Sequence, residues 1–270
     1  MVAVTSWATA QDGTRLAATT TGEGDALVLV HAASSDARQW SRVEPLLARR
    51  FRVVAMDRRG RGLSGALRPD HSLDVEYGDV AAMVEAVTGP VHLLGHSSGA
   101  RFALQAALRV ANLASLILYE PPAPEVISEG VLESLDRLEA AGDRVGILRL
   151  FLLDVLDNGE DAFELLQERP IWPIMLDNAL TLPPELRAAR HYRLDLGALA
   201  GLTAPTLVLV GELSGPEVQG PARQIAESLP TATVVTLPGQ GHGAMISAPE
   251  LFAAEVAGFV EVLAGSPIRG

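Results

Sequence analysis

Six short apolar runs recur along this chain: ALVLVHA (26–32), FRVVAMD (51–57), VHLLGHS (91–97), ASLILYE (114–120), APTLVLVGE (204–212) and ATVVTLPG (232–239). Each is nearly continuous in Val, Ile and Leu. A strand with one wet face alternates apolar and polar residues, whereas a continuous run needs cover on both faces, as in a parallel sheet. Helical patterns fill the gaps between the runs. Residues 38–49 put Trp40, Val43, Leu46 and Leu47 on one face, and residues 74–88 do the same with Val75, Val80, Val84 and Val87. Residues 98–110, 219–229 and 249–264 complete the set. This alternation predicts an α/β fold with a mostly parallel, doubly wound sheet. Residues 2–9 and 14–20 read as a hairpin turning at Asp12-Gly13.

Residues 121–200 break the alternation. They hold amphipathic runs at 125–141, 143–156, 160–168 and 184–193, separated by Gly, Pro and Asn, and no buried-strand pattern. The expected division is therefore a core of residues 1–120 and 201–270, with a helical cap, or lid, at 121–200 inserted after the sixth strand. A chain of 270 residues, 48% of them hydrophobic, has enough apolar material for one large core.

Composition removes several classes of function. The formal charge is -12, opposite to what a phosphate-binding face requires, so a nucleic-acid partner is not expected. The absence of cysteine excludes disulfides, thiolate nucleophiles and Cys-based zinc sites. The six histidines show no metal-ligand spacing, so neither metal nor cofactor is expected. MVAVTSWATAQDGTR lacks the pattern of a signal peptide, and no apolar run approaches the ~20 residues that span a bilayer. The expectation is a soluble, cytoplasmic protein without a membrane partner, either monomer or homodimer.

Three stretches at strand ends can carry chemistry. Gly95-His96-Ser97-Ser98-Gly99 sits where an apolar strand meets a helix. A serine on that tight turn is pushed out at the C-terminal edge of the sheet, and the helix N-terminus aims N–H groups at charge forming beside it. Val30-His31-Ala32-Ala33-Ser34-Ser35-Asp36 follows the first strong strand. Its loop can offer an oxyanion one backbone N–H, assigned to Ala33, while Ser98 gives the other. Pro238-Gly239-Gln240-Gly241-His242-Gly243 lies between the last strand and the last helix, where His242 can reach over Ser97 as its base.

Together these stretches resemble the α/β-hydrolase family. GHSSG is similar to its nucleophile elbow, VHAASS to its His-Gly oxyanion stretch, DRRGRGLSG (57–65) to its Asp-x-Arg-Gly-x-Gly-x-Ser loop, and GQGH to its histidine loop. The resemblance spans essentially the whole chain and implies a serine hydrolase with a variable cap. Asp57, Arg58, Arg59 and Arg61 are read as tying down their own loop. Two positions depart from the pattern. Ala32 stands where the family usually has glycine, and Ser214 stands where the turn after the TLVLV strand usually carries the triad acid.

The acid fixes the tautomer of the histidine and stabilises the imidazolium, and serine cannot supply that charge. Glu120 ends the strand next to that of Ser97, and some members of the fold place the acid there. The prolines after it stiffen the chain and favour extended geometry at Glu120. Glu212 and Glu217, on the usual acid loop but out of position, remain alternatives, as does the absence of a working acid. Asp36 is better placed for substrate.

The cap has an apolar inventory. Phe151, Trp172 and Met175 from the cap, with His31, Trp40 and Met245 from the core, are candidate substrate contacts. They suit a small-to-medium hydrophobic ester, thioester or lactone. The alternatives are a non-hydrolytic lyase, cyclase or acyltransferase on the same scaffold, motivated by Ser214, and a non-enzymatic ligand receptor.

Overall fold

A computed structural model describes residues 2–68, 71–124 and 127–265. Residues 125–126, which open the first amphipathic run expected in the cap, lie outside the described residues, as do the first residue and the last five. The hairpin is present as β1 (Val4–Thr9) and β2 (Arg15–Thr21). The six apolar runs form β3 (Asp25–Val30), β4 (Phe51–Met56), β5 (Val91–His96), β6 (Leu113–Tyr119), β7 (Thr206–Gly211) and β8 (Ala232–Leu237). They build one eight-stranded sheet in the order β1-β2-β4-β3-β5-β6-β7-β8. The pairs β1–β2 and β2–β4 are antiparallel and the others are parallel.

The continuous apolar runs have the reason anticipated for them. Val28 and Val30 of β3 face one apolar cluster, and Leu27 and Leu29 face another. The helices are α1 (Glu44–Leu47), α2 (Leu73–Glu85), α3 (Ser98–Ala107), α4 (Glu129–Ala141), α5 (Arg144–Leu150), α6 (Glu160–Gln167), α7 (Trp172–Asn178), α8 (Leu182–Ala189), α9 (Leu196–Leu199), α10 (Pro216–Glu227), α11 (Ala244–Ser247) and α12 (Pro249–Leu263). Helices α2, α3 and α10 cover the first face, and α12 with the segment around α1 covers the second. Among the described residues, no helix is long and apolar enough to cross a membrane.

Two local expectations change. Residues 38–49 are not one helix but a 3-10 turn, Ala37–Trp40, followed by the single turn of α1. Pro45 has no N–H to give the preceding turn, so the helix restarts with proline in its first turn, where that group is not needed. The apolar face survives, with Trp40, Val43 and Leu47 buried. The prolines on either side of Trp172 predict a stiff segment displaying that ring, but Pro173 instead sits in the first turn of α7.

Helices α4 to α9 lie between β6 and β7. Leu135, Ile147, Leu148, Ala179 and Leu182 form part of a separate apolar cluster there. A buried ionic link joins these helices to the core. Arg58 pairs with Glu76 of α2 at 2.9 Å and with Glu185 of α8 at 3.0 Å, and Arg61 also bonds Glu185. Burial pushes the Glu185 carboxyl up, but Arg58 and Arg61 outweigh it and hold the group down at about 2. Arg59 is paired with Asp79. The arginines of DRRGRG are thus buried structural cations.

Candidate active site

Ser97 caps α3 directly after β5, with φ 53° and ψ −123°. Positive φ at a non-glycine residue is strained and persists only when its surroundings enforce it. Here the Ser97 amide donates to the Tyr119 carbonyl at 2.9 Å, fastening the turn to β6. Close backbone approach explains the flanking glycines. A Cβ on Gly99 would lie 2.3 Å from the Val30 carbonyl oxygen, and one on Gly95 would lie 2.3 Å from that of Gly99. Ser98 opens α3, so its amide is among the first-turn N–H groups that have no acceptor within the helix.

Glu120 and His242 meet across 122 residues of sequence, with Glu120 Oε2 2.5 Å from His242 Nδ1. The other carboxylate oxygen accepts from the Gly211 amide at 2.7 Å and from the Ser214 hydroxyl at 2.6 Å. Ser214, without an assignable role in the sequence, is therefore a partner of Glu120. The carboxylate is only 1% exposed. Burial pushes its pKa up, but the bonds to His242, Ser214 and Gly211 outweigh burial and hold it below the ordinary carboxylate value. With Nδ1–H given to Glu120, Nε2 of His242 carries the lone pair a base needs.

Glu120 is not extended as its prolines suggested. Strand β6 stops at Tyr119, and Glu120 turns at φ 47°. Its amide bond to the Leu209 carbonyl and the three bonds to its carboxylate override the local preference. Tyr119 adds a contact that sequence reasoning missed. Its hydroxyl donates to the Gly241 carbonyl and accepts from the Ala244 amide, bracketing His242 on both sides. The dipeptide Tyr119-Glu120 thus fixes both the backbone and the imidazole of the histidine loop.

The other carboxylates are engaged elsewhere. Glu212 is exposed and accepts from the Gly239 amide at 2.7 Å. Glu217 is exposed in the first turn of α10. Asp36 caps the Ala37–Trp40 turn and is bonded by Arg38 and by Asn178.

The loop after β3 is held from beneath. His31, expected to touch substrate, is fully buried and does not line the cavity beside Ser97. One ring nitrogen contacts the Ala32 carbonyl, and the other accepts from the Arg58 amide at 3.1 Å. Burial and the neighbouring arginines push its pKa far down, so it stays neutral. The Arg58 guanidinium also reaches the Ala32 carbonyl and the Ser98 hydroxyl. Gln39 accepts from the Ala32 amide and donates to His96. Ala32 replaces glycine without penalty because the positive φ in this loop falls on Ser34, not on Ala32.

A cavity of about 340 Å³ opens over Ser97 and His242. Among the expected site residues, Ala33, Phe151, Met175 and Met245 line it. Leu152, Leu166 and Ile171 extend its apolar wall, with Asn158 and His96 among the polar additions. Trp40 and Trp172 do not line it. Trp40 is fully buried between His96 and Phe252, because its position on the apolar face of the segment directs it into the core. Trp172 stacks edge-on against Phe163 within the inserted helices, 5.7 Å between ring centroids. Apart from His96 at the end of β5, these additional wall residues lie on α6 and on the segments before and after it, whose approach to Ser97 depends on how the insertion folds back. Among the described residues, no group of three or more His, Cys, Asp or Glu side chains could hold a metal ion.

The sequence model of the alpha/beta hydrolase family matches residues 27–255. The chain is 26% identical over 257 residues to 2-(acetamidomethylene)succinate hydrolase of Mesorhizobium japonicum, covering 89% of each protein. It is 41% identical over 104 residues to N-formylmaleamate deformylase of Pseudomonas putida, a match spanning 37% of this chain and only 39% of that protein. Among solved structures, an alpha/beta hydrolase from Sphaerobacter thermophilus superposes with a TM-score of 0.84 at 31% identity, covering 94% of this chain and all of that one.

Proposed function

The chain belongs to the alpha/beta hydrolase family, and on that premise we propose that it is a serine hydrolase working through an acyl-enzyme. Ser97 is the nucleophile, His242 the base and then the acid, and Glu120 the orienting acid. One observation carries the reading: His242, bonded through Nδ1 to a buried, ionised Glu120, lines the same apolar cavity as Ser97.

In this reading the Ser97 oxygen attacks the substrate carbonyl and its proton passes to His242 Nε2. The Ala33 and Ser98 amides stabilise the oxyanion, each worth about 3–4 kcal/mol in comparable sites. The leaving group takes the proton from His242 and departs. Water then attacks the acyl carbon and gives a proton to His242, which passes it to the Ser97 oxygen as the acyl–oxygen bond breaks and the acid is released. Residues 121–200 serve as the cap that closes the site. The cavity takes a small hydrophobic acyl group of an ester, thioester or lactone. The names of the two relatives add small N-acyl compounds to the candidates.

The reading of a non-hydrolytic enzyme rested on Ser214, and the bond from Ser214 to Glu120 removes that motive. A fluorophosphonate probe tests the proposal. The wild-type protein should gain one adduct on Ser97 by intact-mass analysis, and Ser97→Ala should gain none. A folded wild type that stays unlabelled would overturn it.

A further inference from the structure

A second cavity, of about 520 Å³, runs beside the first and shares Leu166, Ile171, His242 and Ile246 with it. The two compartments therefore meet at the histidine, yet their chemistry differs. Among the described residues, the compartment over Ser97 is lined by no arginine and no carboxylate. Among the same residues, the second compartment is lined by Arg42 and Arg169, also without a carboxylate. In the segment between β6 and β7 that carries Arg169, a carboxylate is held by each of Arg149, Arg187 and Arg190, whereas Arg137 and Arg144 bond neutral oxygen atoms. Among the described residues, Arg169 has no ion-pair partner, and Arg42 makes one long bond, 3.4 Å, to the Ile246 carbonyl.

Position relative to the histidine gives this compartment its part in the reaction. His242 must hand its proton to the departing group, so that group lies on the histidine side of Ser97. The acyl group lies on the side of Ala33 and Phe151. The imidazole side chain is 51% exposed, leaving that face accessible. We propose that the groove of Arg42 and Arg169 is a leaving-group subsite for a small carboxylate. The preferred substrate then pairs an apolar acyl half with an alcohol or amine half that bears a carboxylate. Guanidinium groups suit that task because their planar donor fork matches a carboxylate bidentately. The proposal rests on the serine-hydrolase reading for its orientation, and on the two cavities for its ligand.

Phenyl acetate and 3-acetoxybenzoate test it, since their phenol leaving groups are similar in acidity and differ by one carboxylate. Wild-type kcat/KM should favour 3-acetoxybenzoate by about tenfold, the scale of two exposed charge contacts. Added salt should shrink the preference. The double variant Arg42→Gln/Arg169→Gln should bring the ratio near one, chiefly through a higher KM for the charged ester. Ligand-observed NMR on Ser97→Ala supplies a reading independent of turnover. There 3-hydroxybenzoate should bind more tightly than phenol, and adding the two glutamine changes should remove the difference. A wild-type ratio at or below one, an unchanged ratio in the double variant, or equal binding of acid and phenol would overturn the subsite. Loss of fluorophosphonate labelling at Ser97 would instead overturn the hydrolase reading.

Discussion

Two strand ends, side by side at one edge of the sheet, divide a task that a single residue could have held. The end of β6 carries the charge, on Glu120. The turn after β7 carries no carboxylate toward the histidine but contributes the Gly211 N–H and the Ser214 O–H to that charge. The difference lies in burial as well as in residue type. Glu120 is almost inaccessible, whereas Ser214 is half-buried and Glu212 exposed. A buried carboxylate stays ionised only if hydrogen bonds replace the lost water. The β7 turn therefore matters to Glu120, the proposed acid, through the donors it supplies.

The largest effect expected from breaking this arrangement comes from Glu120→Gln. The amide nearly matches the carboxylate in shape but offers no charge to the imidazolium. It can also present NH₂ to Nδ1 and reverse the tautomer. Turnover should fall by about 10³–10⁴-fold, chiefly in kcat, as in serine proteases that lose the charge of the triad acid. Circular dichroism and the unfolding midpoint should report a retained fold. A fall below about tenfold would remove Glu120 from the proposed triad.

The second effect moves the charge from one strand end to the other. In Glu120→Gln/Ser214→Asp, a carboxylate returns to the β7 turn beside the position it is meant to replace. We expect recovery of about 10- to 100-fold in kcat over Glu120→Gln alone, or roughly 1.4–2.7 kcal/mol of barrier. No recovery would mean that the β7 turn now serves only as a donor platform.

What could be read from the residues follows the range over which each feature is decided. Ser97, His242 and Glu120 each leave a strand end or a short Gly-rich loop, so local sequence places them at the same edge. Ser214 and Glu120 are 94 residues apart, and their bond depends on the register of β6 against β7. Tyr119 and Gly241 are 122 residues apart and depend on the path of the histidine loop in the same way. His31 and Trp40 are candidate substrate contacts by sequence, but sequence position does not tell which way a ring turns, and both are buried in the core. The continuous runs established burial on both sheet faces without ordering the strands. The inserted helices were legible as amphipathic segments, while the face turned toward Ser97 was not.

A smaller and more specific effect is expected from Ser214→Ala. One donor to the ionised carboxylate disappears while Glu120 remains buried, so burial weighs more heavily and the Glu120 pKa rises. A carboxylate held low contributes its stabilisation above its unfolded pKa and loses it as pH falls through the folded value. Raising the folded value moves that loss to higher pH. The acid limb of kcat should shift upward, with kcat reduced about 3- to 10-fold at neutral pH, the scale of one net hydrogen bond. Ser214→Thr keeps the hydroxyl and should restore the wild-type limb. A pH profile unchanged in Ser214→Ala would separate the serine from the acid it touches.

The smallest effect should come from Glu212→Gln, one residue beyond the Gly211 amide that does contact Glu120. Glu212 is the carboxylate on this turn closest in sequence to the customary acid position, yet it bonds the Gly239 amide instead of His242. The glutamine oxygen can accept the same N–H, so only the added strength of a charged acceptor is lost. On the protein surface that amounts to less than about 1 kcal/mol, and kcat should stay within about twofold of wild type. Chemical denaturation and steady-state kinetics measure the two quantities separately. A large fall in kcat with unchanged stability would assign the charge needed by His242 to the β7 turn after all. The division between the two strand ends would then be wrong in its main term.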